Sequence, residues 1–207
     1  FVKLSVLCAA GVAQASGFYL GDNGAKAMVQ GGAFTAQADD GSAFFFNVAG
    51  LAFQRERSFT AGTTFITSEG EFRGADPFPG SDARGEMEPL AEFPTHLYYV
   101  QPFGDRGTFG IGVYTPFGLT TEWKDKANFP GRYLSVLASL RTFDVNPTFA
   151  YQLTPRFSIG VGAIARISDV ELQRYIGAFN PFTQGVSDIA TVELTSDFDT
   201  GYGFNVG

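Results

Sequence analysis

Val170, Leu172 and Arg174 fall at every second position of an alternating stretch, so in an extended chain they share one face. A guanidinium at the end of an apolar row suits the carboxylate of an amphipathic acid, which arginine can hold with two parallel hydrogen bonds. The competing reading is an arginine at the base of a loop, paired with a neighbouring acid. Arg166 lies on the same face, and a structural role suits it better. His96 is the only histidine. A hydrolase would need it beside a nucleophilic serine, and no motif supplies one, so no catalytic residue and no enzyme activity is expected. Asp39, Asp40 and the loop acids Asp76, Asp82, Glu86 and Glu88 could attract divalent cations, although solvated charge is the ordinary state of such residues. No His, Cys, Asp or Glu cluster has metal-ligand spacing, and neither a metal nor a cofactor is expected.

Backbone chemistry supplies a second site. Pro116 interrupts a regular alternating segment and cannot donate a ladder hydrogen bond, and Gly118 two residues on permits a sharp bend. Either the strand ends at Thr115 and Pro116 opens a loop, or Thr115, Pro116, Phe117 and Gly118 form a kink within the strand.

The elements that would position these residues are strands. Phe143, Val145, Pro147, Phe149 and Tyr151 alternate with Thr142, Asp144, Asn146, Thr148 and Ala150. After a tight turn at Leu153-Thr154-Pro155-Arg156, alternation resumes with Phe157, Ile159, Val161, Ala163, Ala165 and Ile167 on one face. Each arm has about the length of a membrane-spanning β-strand, and Tyr151 and Phe157 flank the turn as an interfacial aromatic girdle would. Phe59 to Phe65, Thr95 to Phe103, Phe109 to Tyr114 and Ile189 to Gly207 read as four further strands, with a short turn at Gly104-Asp105-Arg106-Gly107. Which face of Thr95 to Phe103 looks outward stays open. Glu69 to Glu92, Thr121 to Leu134 and Gly177 to Asp188 read as long irregular loops. Short turns at one end and long loops at the other give the expected fold class: all-β, a transmembrane antiparallel β-barrel in the outer membrane. Six strands open at both edges would leave backbone groups unsatisfied in hydrocarbon, so the remaining strands are expected in sequence beyond Gly207.

Export is consistent with this. Lys3, the apolar run Leu4 to Val12 and Ala13-Gln14-Ala15 read as the later part of a signal peptide over residues 1–15, cleaved before Ser16. Cys8, the only cysteine, falls within it; Leu7 before it stands where a lipoprotein has a small residue. The net charge of -7 excludes a nucleic-acid partner, whose phosphates need a basic face. The 23 Phe and 26 Gly suit strands, interfaces and crowded barrel walls.

Residues 16–57 lack the strand period and carry seven glycines, with a weakly helical stretch over Ala25 to Gln37. Such a segment is more economically folded inside a barrel, as a hatch with short helices, than left dangling. Here the sequence resembles the long-chain fatty-acid transporter family of outer membranes, which includes aromatic-hydrocarbon channels. The resemblance rests on Ser16-Gly17-Phe18, on Ala38-Asp39-Asp40 followed by Asn47-Val48-Ala49-Gly50-Leu51, and on Tyr114-Thr115-Pro116-Phe117-Gly118-Leu119-Thr120-Thr121-Glu122-Trp123. Gly131-Arg132-Tyr133, Asn146 to Tyr151 and Glu171-Leu172-Gln173-Arg174-Tyr175 are also similar to family segments, the last to one carrying a ligand-contacting arginine. Val48 stands where the family has proline, which removes a fixed φ from that turn.

The resemblance implies a fourteen-stranded barrel, a hatch over 16–57, and the barrel's N-terminal strands over 58–207. It implies uptake of hydrophobic compounds, long-chain fatty acids or aromatic hydrocarbons, with lateral release through a kinked third strand. The kink would be Thr115 to Gly118, with the hatch turn Asn47, Val48, Ala49 and Gly50 beside it and the ligand on Arg174, Val170 and Leu172. Partners would be the hydrophobic ligand and outer-membrane lipid with lipopolysaccharide, around a monomeric barrel. The alternative is a surface barrel acting as adhesin, receptor or structural protein, which needs loops but no internal pocket.

Overall fold

Alternation of large apolar with small or polar residues makes a strand stable only where one face is covered, and here the N-terminal segment covers it. A computed structural model describes residues 19–182 and 185–207, so the signal-peptide segment and Ser16-Gly17-Phe18 lie outside the described residues. The N-terminal segment holds two short helices, α1 (Ala25–Val29) and α2 (Ala43–Phe46), and a 3-10 helix over Val48–Phe53. Strands follow: β1 (Ser58–Thr63), β2 (Ile66–Ser68), β3 (Glu71–Arg73), β4 (Arg84–Glu86), β5 (Leu90–Glu92), β6 (Thr95–Phe103), β7 (Gly107–Tyr114), β8 (Gly118–Glu122), β9 (Leu137–Thr154), β10 (Phe157–Asn180) and β11 (Gly185–Val206).

The main sheet is antiparallel in the order β1-β6-β7-β9-β10-β11, and β8 continues the line of β7 along β9. The chain therefore crosses six times, and among the described residues the sheet is not closed. Its short connections, residues 104–106 and 155–156, share one end; the β1-to-β6 and β8-to-β9 connections share the other. Two expected loops are more ordered than alternation suggested. Glu69 to Glu92 carries the ribbon of β3 with β4, and its β5 pairs with β2 just ahead of it. Gly177 to Asp188 is mostly strand, because β10 and β11 stay paired out to Asn180 and Gly185. Conversely, the helix expected over Ala25 to Gln37 stops at Val29.

The faces of the sheet differ. His96, Tyr98 and Val100 of β6, Thr108, Gly110, Gly112 and Tyr114 of β7, and Thr142, Asp144, Asn146, Thr148 and Ala150 of β9 are buried under the N-terminal segment. That settles β6: its odd positions look away. The opposite face carries exposed Leu97, Phe103, Phe109, Ile111, Phe143, Phe149, Ile159 and Val161. Near the short-turn end the rings cluster, with Phe103 5.6 Å from Phe149 and 6.4 Å from Phe109. Phe157 to Ile167 spans roughly 33 Å along the strand. At a tilt near 40° that is about 25 Å of height, the thickness of an apolar outer-membrane belt. Just past Ile167 on this face come Asp169, ion-paired to Arg141, and Glu171, so charge begins where the belt ends.

The N-terminal segment is held by its backbone carbonyls. The Phe44 carbonyl accepts from the side-chain amides of Asn146 and Asn205, each at 3.2 Å. The Ala49 carbonyl accepts from Ser158 Oγ at 2.9 Å, and the Asn23 carbonyl from Tyr98 Oη at 2.7 Å. Short helices leave most of their carbonyls unpaired, and the strand side chains supply the missing donors. Phe44 stacks on Tyr98 at 5.7 Å and lies over Gly110 and Gly112. A Cβ at Gly112 would come within 2.8 Å of Phe44 Cγ, so only glycine lets α2 approach the sheet this closely.

Candidate functional site: an interrupted strand and an unpaired arginine

Pro116 does not open a loop; it sits in a break within a continuing strand. Tyr114 pairs with Asp144 and Gly118 with Arg141, so three residues, Thr115, Pro116 and Phe117, face two, Thr142 and Phe143. The extra residue makes this a bulge. The neighbour on the other side also ends here: β6 pairs with β7 up to Leu97 and Val113, and β8 runs on without β6. A small cavity of about 90 Å³ occupies the opening, lined mainly by Phe93, Pro94, Thr115, Gly118, Leu140 and Phe143, with Leu20 among its walls. Phe93 and Phe143 are exposed on the outward face, so the opening lies in the wall of the sheet.

The backbone groups released by the break find other partners. Thr142 Oγ1 accepts from the Phe117 N–H at 3.1 Å and donates to the Phe117 carbonyl at 2.5 Å. The Leu20 N–H donates to the Pro116 carbonyl at 2.9 Å, and Tyr19 forms a single antiparallel bridge with Phe117. Asn23 Nδ2 reaches the Thr115 carbonyl at 3.4 Å. Each of these surrogates is a side chain or the N-terminal segment, which take over ladder bonds that the break removes.

The expected neighbour of the break needs correction. The turn Asn47, Val48, Ala49 and Gly50 does not flank Thr115 to Gly118; it packs on β10 and β11 nearer the short-turn end. Val48 and Ala49 lie against Gly160, and Asn47 against Gly207. Gly160 and Gly207 carry no side chains, and that space sets where the turn docks. Tyr19, Leu20 and Asn23 take the place beside the break. The turn is fixed without a proline: Asn47 Oδ1 caps the Ala49 N–H at 3.2 Å and Asn47 Nδ2 donates to the Thr35 carbonyl at 3.0 Å.

The row Val170, Leu172 and Arg174 lies on the inward face with Arg166. β10 keeps one register with β9 from Ser158 to Gln173, so alternation is unbroken along it. Arg174 is exposed, and among the described residues it makes no hydrogen bond or ion pair. Arg166 is different: it forms a bidentate pair with Asp144, at 2.7 and 2.8 Å, and Asp144 is 1% exposed. Its guanidinium lies 4.9 Å from the centre of the Phe117 ring. The sequence reading missed this pair and the contacts of Tyr19, Leu20 and Thr142. Counting back from the 155–156 turn would set Val145 opposite Arg166; the register shift between Phe157 and Ser158 brings Asp144 there instead, which residue order does not report.

His96 faces inward, stacked on Tyr98 at 5.2 Å, and its Nδ1 has no partner among the described residues. Among the described residues no group of three His, Cys, Asp or Glu could hold a metal, and no helix is long and apolar enough to cross a membrane.

The family model for outer membrane protein transport proteins (OMPP1/FadL/TodX) matches residues 6–207. The chain is 26% identical over 188 residues to a long-chain fatty acid transport protein of Escherichia coli O6:H1, covering 83% of this chain and 42% of that protein. It is 24% identical over 190 residues to outer membrane protein P1 of Haemophilus influenzae strain Rd, covering 84% and 40%. The crystal structure of a Pseudomonas aeruginosa FadL homologue superposes with a TM-score of 0.55 at 19% identity, covering 81% of this chain and 43% of that one. The chain thus spans less than half the length of each.

Proposed function

The chain belongs to the outer membrane transport protein family (OMPP1/FadL/TodX), and on that premise we propose that it forms the N-terminal strands and the hatch of a channel for passive uptake of hydrophobic compounds. The complete barrel would have fourteen strands, with residues 16–57 as the hatch and 58–207 as its first six crossings. Solute enters from the loop end and is held against Val170 and Leu172. A fatty acid places its carboxylate on Arg174. It leaves sideways, through the opening at Thr115 to Gly118, into the membrane.

The observation that carries this reading is the break itself: a bulge in the third crossing, beside an opening lined largely by apolar side chains. The direction of exit follows from solvation. An apolar solute gains roughly 25 cal/mol per Å² by leaving water, and gains nothing by entering an aqueous periplasm. A route from an apolar pocket into lipid avoids that step. The place of Arg174 at the end of the inward row Val170 and Leu172 supports the carboxylate role. The anchored N-terminal segment favours a channel over an adhesin, which has no use for a filled lumen.

The test is uptake of radiolabelled long-chain fatty acid, and separately of toluene, by cells with and without the intact gene. Loss of either uptake on deletion supports the channel and chooses the substrate class. Unchanged uptake of both removes the proposal.

A further inference from the structure

We propose that Arg166, pinned by Asp144, is a positioning residue that holds the Phe117 ring on the inward side of the bulge, where it limits passage to the strand break. This rests on the lateral route proposed above and names the part that limits it. The Phe117 ring points to the inward face, where it lies between two groups: the Arg166 guanidinium at 4.9 Å and the Tyr19 ring at 6.1 Å, edge-on at 65°. A cation over an aromatic face is attracted by the ring's quadrupole, most strongly where water is excluded. Asp144 fixes the plane of the guanidinium by gripping Nε and Nη2 together.

Two features separate this from an ion pair that merely joins strands. The backbone pairs on either side of the ion pair, Ala165 with Val145 and Ile167 with Phe143, are formed and the ladder runs on unbroken to Gln173 with Leu137, so the strands do not need Arg166 to stay together. The Phe117 backbone is also held independently of its side chain, because both its N–H and its carbonyl bond to Thr142 Oγ1. The ring can therefore turn about its side-chain torsions while the bulge keeps its shape. Arg166 decides where the ring rests; Thr142 decides where the backbone rests.

The perturbation must not strand Asp144, a buried carboxylate that would be destabilising if left alone. The neutral pair Asp144→Asn with Arg166→Gln removes the cation while keeping two side chains that can bond each other. It is compared in the complete protein with Phe117→Leu and with the triple combination, uptake of a labelled long-chain fatty acid being normalised to surface-labelled barrel. The neutral pair and Phe117→Leu are each expected to raise the maximal rate roughly two- to tenfold, the range of a weak cation–π contact. The half-saturating concentration should stay where it is, and the triple variant should be no faster than Phe117→Leu alone. A neutral pair that leaves the maximal rate unchanged or lowers it, or effects that multiply in the triple, would overturn the proposal. Deleting Pro116 with Gly118→Val, which closes the bulge, distinguishes its failure from that of the route. If the closed barrel stops uptake but the neutral pair is silent, only the role of Arg166 falls; if the closed barrel still transports, the lateral route falls with it.

Discussion

Arg174→Ala in the complete protein should separate acids from hydrocarbons. Arg174 is exposed on the inward face and, among the described residues, bonds to nothing, so its removal leaves no buried acid without a partner. Folding stability should change by no more than about 0.5 kcal/mol, as for other surface substitutions. Arg166 is the contrast, since its loss alone would isolate Asp144 at 1% exposure. A charge-assisted hydrogen bond contributes about 1.5–3 kcal/mol. Lost from the bound state alone, that weakens palmitate binding about 12- to 150-fold. Hexadecane, which presents no carboxylate, should bind the variant as it binds the unmodified protein. Arg174→Lys should fall between, because a single ammonium cannot reproduce the two-pronged contact. The assay is equilibrium binding of both ligands to the purified barrel in detergent. Equal losses for both would mean that the pocket wall had collapsed, and no loss for either would place the carboxylate elsewhere.

Cysteines at Thr154 and Ser81 should label oppositely on intact cells, Ser81 reacting with an impermeant reagent and Thr154 not; the reverse would invert the topology. Gly112→Val should push Phe44 off the sheet, because even a Cβ there lies 2.8 Å from Phe44 Cγ. With α2 displaced, the barrel should still insert while its ion conductance in a planar bilayer rises, and an unchanged conductance would show that α2 does not block the lumen. Asp39 gives a pH dependence: hydrogen bonds from Lys26 and then Gln37 hold its carboxyl below the usual value. A carboxyl lowered on folding stabilises above its unfolded pKa and loses that contribution as pH falls through its folded value. Hydrogen-exchange protection of residues 25–40 should thus decline below about pH 4, and Asp39→Asn should start lower and stay flat there.

How much of this was legible in the sequence depended on whether one face of a segment is uniform. β7, β9 and β10 alternate cleanly because lipid-side positions such as Phe109, Phe149 and Ile159 are large while their neighbours Gly110, Thr148 and Gly160 are small, and the 104–106 and 155–156 turns are tight enough to mark the ends; β6 is large on both faces, so its outward side was not readable. Beyond the belt both faces of β10 and β11 are polar or mixed, so the period fades although the backbone pairing continues, and Gly177 to Asp188 passed for a loop. The N-terminal segment was readable only by its composition. Its helices are four to six residues long and are fixed by donors on distant strands, Asn146, Asn205 and Ser158, which no local propensity reports. At the break, Pro116 and Gly118 announced an irregularity, but that it is a bulge and not an ending depends on the register of β8 with β9. The neighbour of the break could not be read from residue order, because Tyr19 and Leu20 lie far earlier in the N-terminal segment than the Asn47 turn that the resemblance suggested.

The lateral opening is the centre of the account, and closing it is the most direct test. Substituting Pro116 and Gly118 alone leaves three residues facing two, so the ladder is restored only by removing the extra residue. Deleting Pro116 brings Thr115 and Phe117 opposite Phe143 and Thr142, and Gly118→Val adds a residue suited to a strand. A Cβ at Gly118 meets its nearest neighbours at 3.4–3.5 Å, ordinary packing distance, so a side chain can start there without a clash. Uptake of labelled palmitate by cells carrying this variant is the measurement, with palmitate binding to the purified barrel as the control for folding. The account predicts normal insertion, retained binding and uptake reduced to the level of cells lacking the gene. Uptake at the unmodified rate by a barrel whose structure shows the ladder continuous would contradict it.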